Sequence, residues 1–219
     1  MNAQETIRAI TDVGIVPVVR ASSAELALRA VEAIYQGGVR AAEITMTVPG
    51  AIGALEKLAA RFGGQMLMGA GTVLDAETAR ISMLAGAQFI VCPSLRLATI
   101  EICKRYSIAV CPGALTPTEV LAAWEAGADV VKIFPCGNVG GASYIKALKG
   151  PFPQIQMIPT GGVNLQTIGD FLKAGACAAG VGGELVDARS IQEGHFEVVE
   201  ERARQFLAAI ARARGGQAG

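Results

Sequence analysis

Five of the six lysines, Lys57, Lys104, Lys146, Lys149 and Lys173, fall in helix-like stretches or the turns beside them, where a solvated ammonium is the ordinary outcome. Lys132 does not. It is flanked by Val130-Val131 and Ile133-Phe134, a strand-like apolar run. Desolvation there disfavours the charged form, and the neutral amine is the form that attacks a carbonyl carbon to make a Schiff base. Glu43 is the matching anomaly among the carboxylates, set in Ala41-Ala42-Glu43-Ile44-Thr45. Alternate residues of a strand share a face, so Glu43 goes with Thr45, and Lys132 with Val130 and Phe134. If both faces point into one interior, a proton-carrying carboxylate meets an amine nucleophile, a pair suited to carbanion chemistry beside a carbonyl. A structural ion pair uses the same two residues, and the pair alone does not decide between them.

Three further features could handle anions. Arg20 closes the run Pro17-Val18-Val19-Arg20, where its fork of donors suits a carboxylate or phosphate, although a solvated strand-end arginine reads the same way. Two glycine pairs, Gly161-Gly162 after Thr160 and Gly182-Gly183, follow the last two strand-like runs. Glycine lets backbone N–H groups approach an anion closely; each pair by itself would also serve as a simple turn. Glu184 follows the second pair and would repel a phosphate, so it is expected to point away.

The elements that must position these residues are marked by an internal repeat. GGVRAAEITM from Gly37, AGAQFIVCP from Ala85, AGADVVKIFP from Ala126 and AGACAAGVGG from Ala174 share a glycine at 38, 86, 127 and 175, spaced by 48, 41 and 48 residues. In each, the glycine sits where a helix ends and a strand begins, a place that favours a left-handed residue. Further strands read at 14–20, 66–71, 108–112 and 155–160. Between them lie segments of helical spacing, one holding Leu26, Ala30, Ala33 and Ile34 behind a Ser22 or Ser23 cap, another opened by Thr116-Pro117. Eight apolar strands alternating with eight helices predict a closed (β/α)8 barrel forming a single domain over 1–219, because an open sheet would need edge strands with one polar face. Helices near 3–12 and 194–213 would extend it, the latter carrying the apolar stripe Val199, Phe206, Leu207 and Ile210. Residues 215–219 are expected to fray. In such barrels the phosphate-handling loops follow the seventh and eighth strands, where both glycine pairs fall.

Composition excludes several classes. The 219 residues are 52% hydrophobic and 17% charged, which rules out a disordered chain. Nineteen basic and nineteen acidic residues cancel, so no net positive field draws a nucleic-acid backbone. The longest uncharged stretch, Gly150 to Gly169, carries prolines and glutamines unlike a membrane span, and the polar start MNAQETIRAITD lacks a secretory core. Five cysteines without a CxxC motif fit buried reduced thiols in a cytoplasmic protein, and a sole histidine, His195, argues against a histidine-built metal site.

Five segments then stand together: Glu43-Ile44-Thr45, Gly69-Ala70-Gly71-Thr72-Val73-Leu74, Cys111-Pro112-Gly113, Lys132-Ile133-Phe134-Pro135 and Pro159-Thr160-Gly161-Gly162-Val163. In this order and spacing the chain resembles the 2-keto-3-deoxy-6-phosphogluconate (KDPG) aldolases, also called 2-dehydro-3-deoxy-phosphogluconate or 4-hydroxy-2-oxoglutarate (KHG) aldolases, from about Gly14 to Val186. The resemblance implies a metal-independent class I aldolase on a (β/α)8 barrel, usually a homotrimer, that uses no cofactor beyond a Schiff base on Lys132. It makes Glu43 the general acid/base. It places Thr72, Thr160 and Phe134 around the keto acid, Pro93 near the ketone, and Gly161, Gly162, Gly182 and Gly183 at the phosphate. The substrate would be a small phosphorylated keto acid cleaved to pyruvate and glyceraldehyde 3-phosphate, with the galactonate epimer and 4-hydroxy-2-oxoglutarate as alternatives.

Two departures qualify what the resemblance implies. Many members carry an arginine four residues after the glutamate, on the substrate carboxylate; here that residue is Thr47, and Arg20 matches a branch that supplies the arginine from the first strand. Many also carry a serine where this chain has Gly183, which keeps the backbone donor and removes the hydroxyl. Two other classes share parts of the pattern. A phosphate-binding barrel isomerase or synthase needs the glycine loops but not Lys132, and a non-catalytic barrel would bind without turnover.

Overall fold

The computed structural model describes residues 1–215; the expected fraying of the last four residues lies outside them. The strands are β1 (Ile15–Val19), β2 (Ala41–Thr45), β3 (Leu67–Gly71), β4 (Phe89–Val91), β5 (Ala109–Cys111), β6 (Gly113–Ala114), β7 (Val131–Ile133), β8 (Met157–Pro159) and β9 (Ala179–Val181). Their ladders are all parallel, and helices alternate with them, giving an α/β fold with a curled sheet. The helices that matter for the site are α1 (Ala3–Val13), α2 (Ala24–Gln36), α3 (Ala51–Phe62), α4 (Ala76–Leu84), α5 (Leu97–Arg105), α6 (Pro117–Glu125) and α7 (Ala142–Lys149). The chain closes with α8 (Ile168–Lys173), α9 (Ala188–Glu193) and α10 (Phe196–Ala213).

All eight expected strands form, but the fifth is divided. One sheet runs β5-β4-β3-β2-β1-β9 and a second β6-β7-β8. Pro112 is the divider. It has no N–H to give to a ladder, so pairing passes from one neighbour to the other around it. β5 pairs back with β4 and β6 pairs on to β7, while the Pro112 carbonyl accepts the Lys132 N–H at 2.9 Å. Between β8 and β9 there is an isolated parallel bridge, Thr160 to Gly180.

The repeat is explained by its turns. Gly38, Gly86, Gly127 and Gly175 have φ of 95°, 96°, 94° and 101°, the left-handed region that glycine enters without a Cβ clash. The helix starts follow their capping residues. Ser23 accepts the Leu26 N–H, and Thr116 and Glu119 form a reciprocal capping box ahead of α6, with Pro117 in its first turn. In α10, Val199, Phe206 and Ile210 are buried and Leu207 is half-buried, as the stripe requires.

Two apolar clusters result. One lies between the outer strand faces and the helices. The other is interior and contains Val16, Ala41, Leu67, Phe89, Val91, Cys111, Val130 and Ile158, together with Ile7 and Ile10 of α1. Ala41, Leu67, Phe89 and Ala109 each begin a strand, so α1 covers the N-terminal ends and leaves the C-terminal ends to the site. No described helix is long and apolar enough to cross a membrane.

Ile10 is 1% exposed and reaches the same interior as Glu43 and Lys132. Truncation by Ile10→Ala should cost about 2–5 kcal/mol, the range for a buried aliphatic deletion. Urea unfolding measures it; a loss below about 1 kcal/mol would contradict the covering role given to α1.

Candidate active site

β2 carries Glu43, in register with Val18 on one side and Gly69 on the other. β7 carries Lys132, in register with Gly113 and Ile158. Glu43 is 2% and Lys132 4% exposed, and both line one interior whose remaining wall is mostly Val16, Val18, Phe89, Val91, Cys111 and Ile158. The two faces therefore point into one interior. The Lys132 Nζ lies 5.2 Å from the centre of the Phe134 ring. Glu43 Oε1 has no hydrogen-bond partner among the described residues. Burial pushes the Glu43 carboxyl above its ordinary range, with the charges of Lys132 and then Arg20 pulling it back. The nearby thiols are poor competitors for a carbonyl. Burial raises Cys92 to about 12, and it raises Cys111 as well.

Room for the carboxyl comes from a residue that the sequence reading did not single out. A Cβ on Gly71 would stand 2.5 Å from Glu43 Oε1 and 2.7 Å from its Cδ. Gly180 does the same for Thr160, whose Oγ1 occupies the space a Cβ there would need. Both glycines are required by a neighbour's volume, a reason that the segments holding them, 69–74 and the fourth repeat, do not reveal. Thr45, on the Glu43 face, is pinned by its hydroxyl to the Val19 carbonyl at 3.1 Å and lies 2.7 Å from the Thr47 hydroxyl. Thr47 itself is exposed.

Above the interior lies an open cleft of about 200 Å³ that gathers Arg20, Phe134, Thr160, Gly161, Gly162, Gly182 and Gly183. Thr160 and Gly180 line both spaces, so the cleft and the interior adjoin. Arg20 is the one cationic side chain in the cleft wall among the described residues, and its Nη1 is 3.2 Å from where a Cβ of Gly182 would be. Gly161 and Gly162 have φ of 90° and 76°, so their backbone calls for glycine. Gly183 differs. Its φ lies outside that region, and a Cβ there would meet nothing within 4 Å, so neither conformation nor space demands glycine.

Two expected site residues stand apart. Thr72 and Pro93 follow β3 and β4 and line neither the interior nor the cleft. Thr72 nonetheless holds φ at 57°, an uncommon conformation for a β-branched residue. The Pro93 backbone packs against Gly113 so closely that a Cβ there would strike it. Glu184 is exposed and borders the cleft.

The family model described as KDPG and KHG aldolase matches residues 6–202. A 2-dehydro-3-deoxy-phosphogluconate aldolase from Haemophilus influenzae is 32% identical over 204 residues, 93% of this chain and 96% of the relative. A 2-dehydro-3-deoxy-6-phosphogalactonate aldolase from Escherichia coli is 35% identical over 179 residues, 81% of this chain and 87% of the relative. The crystal structure of a Legionella pneumophila KDPG aldolase, with pyruvate captured as a covalent carbinolamine, is 28% identical with a TM-score of 0.84, covering 91% of this chain and 96% of that one. The chain belongs to the KDPG and KHG aldolase family of lyases.

Proposed function

We propose that this protein is a class I, metal-independent aldolase that cleaves 2-keto-3-deoxy-6-phosphogluconate to pyruvate and glyceraldehyde 3-phosphate, with no cofactor beyond the imine on Lys132. The observation that carries the reading is the buried pair of Lys132 and Glu43, its Oε1 unpartnered, adjoining a cleft with one arginine and two glycine pairs. The carbinolamine in the Legionella relative supports it. The galactonate epimer is a second substrate on the strength of the 35% identity to its aldolase, and the shorter 4-hydroxy-2-oxoglutarate a third.

The steps follow from the two side chains. The Lys132 amine adds to the C2 ketone, and Glu43 gives a proton as water leaves the carbinolamine. The resulting iminium draws electrons. Glu43, now a carboxylate, takes the C4 hydroxyl proton; the C3–C4 bond breaks, the aldehyde forms, and the bonding pair moves into an enamine. Glu43 returns that proton to C3, and water hydrolyses the imine to release pyruvate and the free amine. Arg20 is assigned the keto-acid carboxylate. Gly161, Gly162, Gly182 and Gly183 offer backbone donors to the phosphate, while Thr72, Pro93, Phe134 and Thr160 shape the keto-acid end.

The same reading takes the two sheets as arcs of one (β/α)8 barrel in a single domain, supported by the chain continuity through Pro112 and the Thr160 to Gly180 bridge. It takes the enzyme as a cytoplasmic homotrimer. Leu74, Ile81, Leu84 and Leu97, exposed on and beside α4 and α5, supply apolar surface for such contacts.

Borohydride with pyruvate should add a stable pyruvyl mass to the peptide containing Lys132, and a strong chelator should leave turnover intact. An adduct on another lysine, or none, contradicts the mechanism; loss of turnover to the chelator contradicts metal independence. Glu43 gives a stability prediction as well. Its folded-state pKa is raised, so its contribution is complete below the ordinary carboxylate range and is lost as pH rises through the raised value. The wild type should therefore lose stability relative to Glu43→Gln as pH climbs from acid towards neutral. Denaturant midpoints that run parallel across that range would show the carboxyl is not desolvated.

A further inference from the structure

We infer that Gly137 is a positioning residue that locks the turn holding the substrate's distal phosphate to the strand carrying the nucleophile. The inference rests on the functional reading above. After Lys132 the chain passes through Phe134 and Pro135 into a single 3-10 turn, Cys136–Val139. That turn is joined to the anion-binding turn by backbone alone. The Cys136 N–H donates to the Thr160 carbonyl at 2.9 Å, and the Gly137 N–H to the Gly161 carbonyl at 2.9 Å.

The two backbones also touch where no side chain could fit. A Cβ on Gly137 would lie 2.9 Å from Gly162 Cα and 3.1 Å from the Gly161 carbonyl oxygen; one on Gly162 would lie 2.8 Å from Gly137 Cα. These neighbours are main-chain atoms, which cannot rotate away as a flexible side chain could. Gly162 needs glycine for its φ of 76°, but Gly137 is not among the glycines with positive φ. Its requirement is the contact itself. Gly137 is exposed, so it contributes nothing to the apolar core. The segment is closed on itself by the Gly141 N–H on the Cys136 carbonyl at 3.1 Å, and beyond it the chain is held from outside by the Tyr144 hydroxyl on the Leu115 carbonyl. A side chain at 137 must therefore push the Gly161-Gly162 turn outward, while Lys132 stays in its ladder. The separation between the imine carbon and the anion donors is the quantity that changes.

The test compares wild type, Gly137→Ala and, as a neighbour with no such contact, Asn138→Ala. In Gly137→Ala the KM for the phosphorylated keto acid should rise about tenfold, the scale expected for sub-ångström misplacement of a binding group. Its kcat at saturation, the borohydride-trapped pyruvate on Lys132 and the KM for 4-hydroxy-2-oxoglutarate, which has no phosphate, should all stay at wild-type values. Asn138→Ala should match wild type throughout. Equal rises in KM for both substrates, a fall in kcat alone, or no change would overturn the inference. Titration with inorganic phosphate provides a readout independent of turnover: Gly137→Ala should lose affinity, and unchanged affinity would overturn it. Absence of wild-type trapping on Lys132 would instead refute the catalytic reading and leave the phosphate titration to judge Gly137.

Discussion

A carboxyl and an amine held together inside an apolar chamber are the constraint on which the rest of this structure depends. Taking either charge out of water is expensive, and an unpartnered one would be strongly destabilising. Glu43 and Lys132 are both nearly fully buried, and only their mutual proximity, with Arg20 further out, offsets the cost to the carboxylate. The fold accommodates them through the wall around them. β2 and β7 bring the two side chains in from separate sheets, Gly71 leaves space for the carboxyl, and α1 covers the N-terminal ends so that the C-terminal mouth is the way in.

Seen from that mouth, the site has two parts with different physics. The interior is enclosed and, apart from Glu43, Lys132 and Thr160, apolar, and burial there raises the Glu43 carboxyl. The cleft above it is open and is lined by two glycine turns and a single cationic arginine among the described residues. Thr160 and Gly180 belong to both parts and lie where β8 and β9 meet in a lone bridge. A phosphorylated keto acid fits such a division, its reacting carbon inside and its distal phosphate at the rim.

Much of this was legible in the amino-acid sequence, for a physical reason. A single charge within a short apolar run is costly, so Lys132 and Glu43 were conspicuous, and the period of two gave the face of its own strand to each; that the two faces share one interior depends on the fold. The repeat glycines were legible because the helix-to-strand turn needs a left-handed residue, and their φ values agree. Other features arise only from neighbours distant in the chain. Gly71 answers to the volume of Glu43, Gly180 to Thr160 and Gly137 to Gly162, and nothing in their local sequence separates them from ordinary turn or strand glycines. The division of the fifth strand follows from Pro112 lacking a donor, but its resumption at Gly113 depends on pairing with β7. The place of Glu184 in the cleft wall depends on turn geometry that composition does not encode.

In the proposed mechanism Lys132 and Glu43 act on one bound keto acid, the first by covalent activation and the second by moving its proton. Exchange of the pyruvate methyl hydrogens in heavy water, followed by proton NMR without any aldehyde present, isolates those two acts. Wild-type protein should exchange them, Lys132→Ala should not, and Glu43→Gln should exchange far more slowly. Exchange that survives loss of Lys132, or that is unaffected by Glu43→Gln, would contradict the account.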